Sequence, residues 1–468
     1  MLTRRLLALA IATAAATAGL AGPAVAQSPV TAEQAAQIGK EAYDYGFPLL
    51  EFTRVKREMT SVKCPDTSGN APVNSFSNAA GFATPDSRTV VAPNTDTLYS
   101  IAHLDLSKGP IVLSHPDMGK RYYSFQMLDP YTNVIDIPGL REDGPKAGSY
   151  VIKLKGDSLG KKKPKGARVF KSRYDDVWVI GRTLATDAED QRKAQKLMAK
   201  YSLTRLNGKP ARKLKKNCKP GEPSKFPTPT DGPGFASALS AAMTQSPPPK
   251  RDGAMLDKLA SVGIGIDQSV SEAGLSPDAE AALYKGIAEE AAALPGRVRL
   301  KAFTDSQASG GWLSLNPRVG DYGTDYELRA FVAVVGLGAN TPDEAIYPTG
   351  ITDATGALYS GADDYRLTFP PGQAPPAKYF WSLTLYDSSG YLVANPANRY
   401  TVGPTHEPFV TQPDGSIVVA IQGTEPSDPT VNWLPSPPGN FRLSLRLYGP
   451  SESAQSGAWK PPGVVKVP

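Results

Sequence analysis

Between Phe441 and Tyr448 the chain alternates without a break: Phe441, Leu443, Leu445 and Leu447 are apolar, whereas Arg442, Ser444, Arg446 and Tyr448 carry polar groups. A period of two fits a strand whose successive side chains face opposite sides of a sheet, and an α-helix cannot sort these residues into two faces. One face of that strand is therefore dry and the other polar. The same period governs the chain from Ala357 onward, with turn chemistry at Asp387-Ser-Ser-Gly390 and Pro413-Asp-Gly415. Residues 341–456 are expected to form a C-terminal β-sandwich of jelly-roll-like type, with a tail over 457–468.

The first half carries shorter β-rich runs at 90–91, 99–104, 111–113, 122–128, 133–137, 150–154 and 177–184, separated by Gly, Pro and Asp turns. Their spacing predicts an immunoglobulin-like β-sandwich over 71–205. Ahead of it, residues 27–64 read as a helical segment. Thr31-Ala-Glu-Gln34 resembles a capping box, Ile38, Ala42, Tyr45, Leu49 and Phe52 recur at helical spacing, and Gly46-Phe47-Pro48 predicts a kink. Thr186-Asp-Ala-Glu-Asp190 opens a further helix with acids in its first turn. Residues 206–340 read as a basic, Pro-rich loop followed by helices over 235–243, 254–262, 278–294 and 326–337. The fold class is mixed α and β, multidomain, with a helical domain between two sandwiches.

Residues 1–26 read as a signal peptide: Arg4 and Arg5, an apolar stretch to Leu20, and a small-x-small site ending at Ala26. The arginine pair is compatible with general or twin-arginine export. Cleavage leaves 442 of the 468 residues, and no later stretch is apolar enough to span a bilayer. An exported periplasmic or secreted protein, not an integral membrane protein, is expected. Cys64 and Cys218 are the only cysteines, and an oxidising compartment favours pairing them. That would close a loop of about 155 residues and contribute ~5 kcal/mol on the chain-entropy model.

Loss of Arg4 and Arg5 takes the formal charge from +6 to +4. Residues 151–220 hold 21 Lys and Arg against 6 acids, a local +15, leaving −11 for the rest of the mature chain. The stretch Arg205 to Lys219 has seven basic residues and no acid, which suits an anionic envelope polymer or phospholipid headgroups or else a solvated loop. No aromatic residue is interleaved to stack a base, and no nucleic-acid partner is expected.

Two dense blocks stand out, Val90-Val-Ala-Pro-Asn-Thr-Asp-Thr-Leu-Tyr-Ser100 and Tyr379-Phe-Trp-Ser-Leu-Thr-Leu-Tyr-Asp387, the latter continuing to Asn395-Pro396, Asn398-Arg399-Tyr400 and Asn432-Trp-Leu-Pro435. With Arg121-Tyr-Tyr123, Asp129, Trp178-Val-Ile-Gly-Arg182, Gly311-Trp312 and Tyr347-Pro348, they cover most of the mature chain. In these residues the chain resembles the two-part exported bacterial family of domain of unknown function 1254 (N-terminal half) plus domain of unknown function 1214 (C-terminal half). The resemblance implies a helical domain with two β-domains. It departs at Asn74-Ser-Phe-Ser-Asn78, where relatives often carry Asn-x-Phe-x-His, so a role for an imidazole there does not transfer.

Only His103, His115 and His406 are present, without a close ligand pair, so no histidine-based metal site is expected and each reads as structural or superficial. There is no Gly-x-Ser-x-Gly elbow. Gly156-Asp-Ser-Leu-Gly160-Lys161 is one residue short of a phosphate loop, and Gly336-Leu-Gly338 lacks the third glycine of a dinucleotide site. No cofactor is expected. The remaining polar-aromatic set is Asn94, Asp96, Tyr99, Arg121, Tyr386, Asn395, Arg399, Asn432 and Trp433. Aromatic faces with oriented amide and charged groups suit a small polar ligand or glycan held between the β-domains. Asp96 with Asp387 could instead act as the carboxylate pair of a metal-independent hydrolase of envelope glycans or esters. The third reading is structural: these residues fill cores and fasten turns in an assembly protein without a ligand.

Overall fold

The computed structural model describes residues 29–88, 91–160, 163–314 and 317–467. The signal-peptide expectation over 1–26 and part of the 90–91 strand lie outside the described residues. The described residues open with α1 (Ala32–Thr60), whose first turn is closed by the capping box between Thr31 and Gln34. The helix is one element across Pro48, with Tyr45, Leu49 and Phe52 on its buried face.

The first sandwich follows. Its strands are β1 (Ser77–Asn78), β2 (Thr97–Asp105), β3 (Ile111–His115), β4 (Tyr123–Leu128) and β5 (Val134–Asp136), then, after the short α2 (Leu140–Asp143), β6 (Gly148–Leu154), β7 (Arg168–Ser172) and β8 (Asp176–Leu184), and, after α3 (Ala188–Met198), β9 (Ser202–Arg205). One sheet has the order β1-β2-β8-β4-β5 and the other β7-β6-β3-β9. Between them lie Leu104, Phe125, Ile152 and Val179. Pairing is antiparallel except between β6 and β7. Asp187 caps α3 through the amides of Glu189 and Asp190, as acids at a helix start favour.

The second face of the β1–β5 sheet packs on α1 through Phe52, Ile101, Trp178 and Ile180. Around α1 lie α4 (Gly232–Gln245), α5 (Gly253–Ala260), α6 (Pro277–Ala308), the strand β10 (Trp312–Leu313) and α7 (Tyr326–Gly336). The two long helices approach at Gly39 and Gly286: a Cβ on Gly286 would stand 2.1 Å from the Ala36 carbonyl oxygen. The sequence ends α6 before Pro295, whereas the structure continues it to Ala308. Leu294, Val298, Ala302 and Ser306 keep one buried stripe at four-residue spacing, and that burial offsets the ~3 kcal/mol an interior proline costs.

Cys64 and Cys218 form a disulfide with Cα atoms 5.8 Å apart. Beyond it the Pro-rich stretch lies along α1, with the Ser224 amide on Ser61 Oγ at 2.8 Å, the Phe226 amide on Glu58 Oε1 at 2.9 Å, and Arg57 over the Phe226 ring.

The second sandwich comprises β11 (Ala345–Ile346), β12 (Thr349–Gly350), β13 (Asp364–Phe369), β14 (Ala377–Asp387), β15 (Thr401–Val402), β16 (Ile417–Gln422), β17 (Asn432–Pro435), β18 (Phe441–Pro450), the turn-length α8 (Glu452–Gln455) and β19 (Val465–Val467). One sheet runs β10-β12-β18-β14-β15, with β11 also on β18, and the other β17-β16-β13-β19. The dry face read from Phe441 to Leu447 closes this core with Leu383, Leu385, Val419 and Ile421. The molecule is thus mixed α and β with several sheets. No helix among the described residues is long and apolar enough to cross a membrane.

Candidate functional site

The alternation in β14 and β18 leaves Ser382, Thr384 and Tyr386 beside Ser444, Arg446 and Tyr448 on the face away from the core, and none of these six is exposed. The first sandwich covers them with the segment leading into β2. Ala92 adopts a left-handed φ of 50°, its amide bonds Gly390 O at 2.8 Å, and its carbonyl accepts from Arg446 Nη2 at 3.0 Å. Asn94 then turns the chain: its Oδ1 accepts from the amides of Asp96 (2.6 Å) and Thr97 (3.1 Å), while its Nδ2 donates to Tyr448 Oη at 2.6 Å. Tyr386 Oη donates to the Pro93 carbonyl and accepts from Arg446 Nη2, each at 2.6 Å.

This turn delivers Asp96, with no exposed surface, into the second half of the chain. Its Oδ2 accepts from Ser382 Oγ at 2.8 Å, and its Oδ1 lies 2.7 Å from His406 Nε2. Burial acts to raise the Asp96 pKa, but the His406 contact, the nearby Arg446 guanidinium and the Ser382 hydroxyl together hold it below the usual carboxylate value. Arg446, also buried, is held as a cation against its own desolvation by Tyr386 and Asp96. The His406 side chain keeps 14% of its surface exposed, so an imidazole oriented by a buried carboxylate stands at the edge of the seam.

A second network joins the halves beside the first. Arg182 on β8 donates to Gln126 Oε1 (2.8 Å), Asn340 Oδ1 (2.9 Å) and the Gly338 carbonyl (2.9 Å), and Asn340 Nδ2 donates to Tyr347 Oη at 2.7 Å. Glu344, buried, accepts from Tyr122 Oη at 2.5 Å and Arg141 Nε at 2.8 Å; burial pushes its carboxyl pKa up against both donors. Asn340 and Tyr347 also line a cavity of about 400 Å³ with Trp312, Trp459, Pro348 and Gln455. Aromatic and proline walls with a few amides and hydroxyls suit a small ligand presenting one flat apolar face and several polar groups.

The structure brings Asn94, Asp96 and Tyr386 together at the seam, with Tyr99 against Arg182 at 5.6 Å. It does not bring Arg121 there: Arg121 forms a two-pronged pair with Asp190, 2.6 Å on each prong. Asn395, Arg399, Asn432 and Trp433 are fastened within their own domain. Asn395 bonds Arg399 through the backbone, Arg399 Nη1 reaches Trp433 O, Asn432 holds Val410 and Val418, and Trp433 Nε1 donates to Gln422 O. Asp387 accepts from the Tyr391 amide and lies 3.6 Å from Arg88. It is five residues along β14 from the Ser382 that holds Asp96, about 17 Å at ~3.4 Å per residue, beyond the ~5–9.5 Å of a glycosidase pair. The expected Asp96–Asp387 pair is not formed.

Of the histidines, His103 is buried between Trp178 and Phe52, and burial pushes its pKa down to about 3. His115 is buried against Tyr123 and Tyr150. His406, read as structural or superficial, is the partner of Asp96 across the seam. Arg446 was in view as the polar half of an alternation; Ser382, Arg182 and Tyr347 lie within the blocks that carry the family resemblance, but that signal does not mark them as seam residues, and Asn340 has no local signal, since each gains its meaning from a residue far away in sequence. No group of acidic, histidine or cysteine side chains among the described residues is arranged to hold a metal ion.

Residues 73–205 match the family model described as protein of unknown function DUF1254, and residues 344–452 match protein of unknown function DUF1214. No curated protein matches the chain. Among solved structures, a Vibrio parahaemolyticus protein is similar at 21% identity, with 93% of this chain and 100% of that one covered and a TM-score of 0.65, a likeness of fold. An uncharacterised Burkholderia cenocepacia protein matches at 12% identity, covering 93% of each chain, with a TM-score of 0.42.

Proposed function

We propose, for a chain that belongs to the two-part family of domain of unknown function 1254 and domain of unknown function 1214, that it is an exported envelope protein binding a small polar molecule or glycan beside the seam of its two β-domains. The observation that carries this reading is the cavity of about 400 Å³ bounded by Trp312, Tyr347 and Trp459, whose Asn340 is held by Arg182 of the first sandwich. The volume lies within the ~300–1,000 Å³ of small-molecule sites. We read the two sandwiches as immunoglobulin-like and jelly-roll-like scaffolds; the parallel pairs β6–β7 and β16–β17 are their departures from antiparallel order. The disulfide supports an oxidising destination.

Thermal unfolding against a panel of oligosaccharides and small polar metabolites tests the reading. A ligand present at a hundred times its Kd adds ~2.7 kcal/mol of stability, and Trp459→Ala is expected to weaken binding about tenfold through lost aromatic contact. A panel without any shift, or a ligand whose binding ignores Trp459→Ala, would favour the ligand-free assembly role. The hydrolase reading is favoured by one observation, the Asp96–His406 contact at 2.7 Å with the imidazole partly exposed. It predicts turnover of a glycan or ester that His406→Gln abolishes while ligand binding in the cavity persists.

A further inference from the structure

Away from the seam, the β7-β6-β3-β9 sheet turns its other face outward. Val112, Val151 and Ala167 form a small apolar floor there, and Leu159 and Leu206 pack onto it from two different loops. Both loops are strongly basic. Lys163 and Lys165 are exposed in the first, and Lys171, on the same side of β7 as Val169, is exposed beside them. The second loop runs through Arg212, Lys213, Lys215 and Lys216, all exposed and without an ion pair among the described residues. Its ends are fixed: Arg205 Nη1 donates to the Gly109 carbonyl at 2.7 Å, and Cys218 is joined to Cys64. Two loops separated by some forty residues meet at this floor through Leu159 and Leu206, and both carry exposed cations, on a chain whose remaining charge is negative.

We propose that this face docks on an anionic phospholipid bilayer. Charge complementarity favours a polyanionic surface, and the side chains are mostly lysines, compact point charges suited to a diffuse array of phosphates rather than to one planar group. Leu214 decides for a bilayer over a soluble polymer. It stands 39% exposed between Lys213 and Lys215, one of few large apolar side chains left in water. An apolar residue framed by cations enters the headgroup and acyl boundary while its neighbours meet lipid phosphates. The surface is separate from the cavity, so it stands whether or not that cavity binds a ligand.

Cosedimentation of the purified, oxidised protein with vesicles tests the proposal. Binding is expected to vesicles of phosphatidylcholine containing phosphatidylglycerol, not to phosphatidylcholine alone, and to fall at high salt. A basic residue at an anionic leaflet contributes about fivefold to partitioning, so replacing Arg212, Lys213, Lys215 and Lys216 together by Gln should lower it about several-hundredfold. Leu214→Ser should lower it about tenfold, with little dependence on salt. These side chains are exposed, so an unchanged melting temperature confirms that each variant is folded. Equal binding to both vesicle types, or a fourfold variant that partitions like the parent, would overturn the proposal. So would full competition by a soluble dextran sulfate together with an unaffected Leu214→Ser, which would make the face a site for soluble polyanions.

Discussion

Asp96 and Asp129 both stand at places where the first sandwich meets another part of the molecule, and burial drives their carboxyl groups in the same direction. They end on opposite sides of the ordinary value. Asp96, in the seam, is held low by His406, Arg446 and Ser382 against its burial. Asp129 begins the turn that carries Tyr131 into the helical core; burial pushes it up to about 6, although Asn133 donates through both backbone and side chain and Arg329 lies near. Arg329 is itself engaged with the Tyr45 carbonyl and the rings of Tyr45, Tyr131 and Tyr326. Depth does not decide the charge of a carboxyl; the supply of cations and oriented donors does. The seam is built to keep an anion, and the turn keeps one at a cost.

The strongest way to break that contrast is to remove the seam's cation. Arg446→Met leaves Asp96 without its guanidinium and strips donors from Ala92 O, Thr384 Oγ1 and Tyr386 Oη. Urea unfolding at pH 7 should register a loss of ~3–5 kcal/mol, the scale on which a buried charge is penalised when its nearby counter-charge is removed. A loss below ~1 kcal/mol would mean that the seam does not depend on its charges. Asp96→Asn should cost less, ~1–3 kcal/mol, because the amide retains one acceptor while withdrawing the anion that faces His406 and the Arg446 guanidinium. The linkage has a definite sign. A depressed folded pKa contributes stability that is present above the unfolded value near ~3.9 and is lost as pH falls through the lower folded value. The gap between parent and Asp96→Asn should therefore narrow below about pH 4; a constant gap would show that the carboxylate's charge contributes nothing.

The architecture was more legible in the sequence than the seam, for a physical reason visible in β18. Alternation told which residues face the core, because burial of Leu443, Leu445 and Leu447 is a property of one strand and its neighbours. It also told that Arg446 and Tyr448 share the other face, but not that a second domain covers that face, which depends on a contact with residues some 350 positions earlier. Asn432 and Asn94 show why composition misled: the same amide fastens the backbone within one domain in the first case and bridges two domains in the second. The end of α6 is not legible locally, because proline disfavours a helix interior on its own, whereas the burial of Val298, Ala302 and Ser306 that outweighs it depends on what packs against them.

The smallest effect belongs to the other half of the comparison. With a folded pKa of about 6 against ~3.9 unfolded, Asp129 contributes stability that is fully present below about pH 4 and is lost as pH rises through 6. The Asp129→Asn variant would keep an acceptor for the Asn133 amide but could not ionise, so it is expected to gain on the parent across that interval. The turn is partly exposed, and solvent screens the penalty, so the gain at pH 7 should be under ~1 kcal/mol. Melting temperatures of parent and variant from pH 4 to pH 7 make the check. If the variant instead falls further behind as pH rises, the Asn133 and Arg329 groups stabilise the Asp129 anion after all, and the two aspartates differ in degree rather than in sign.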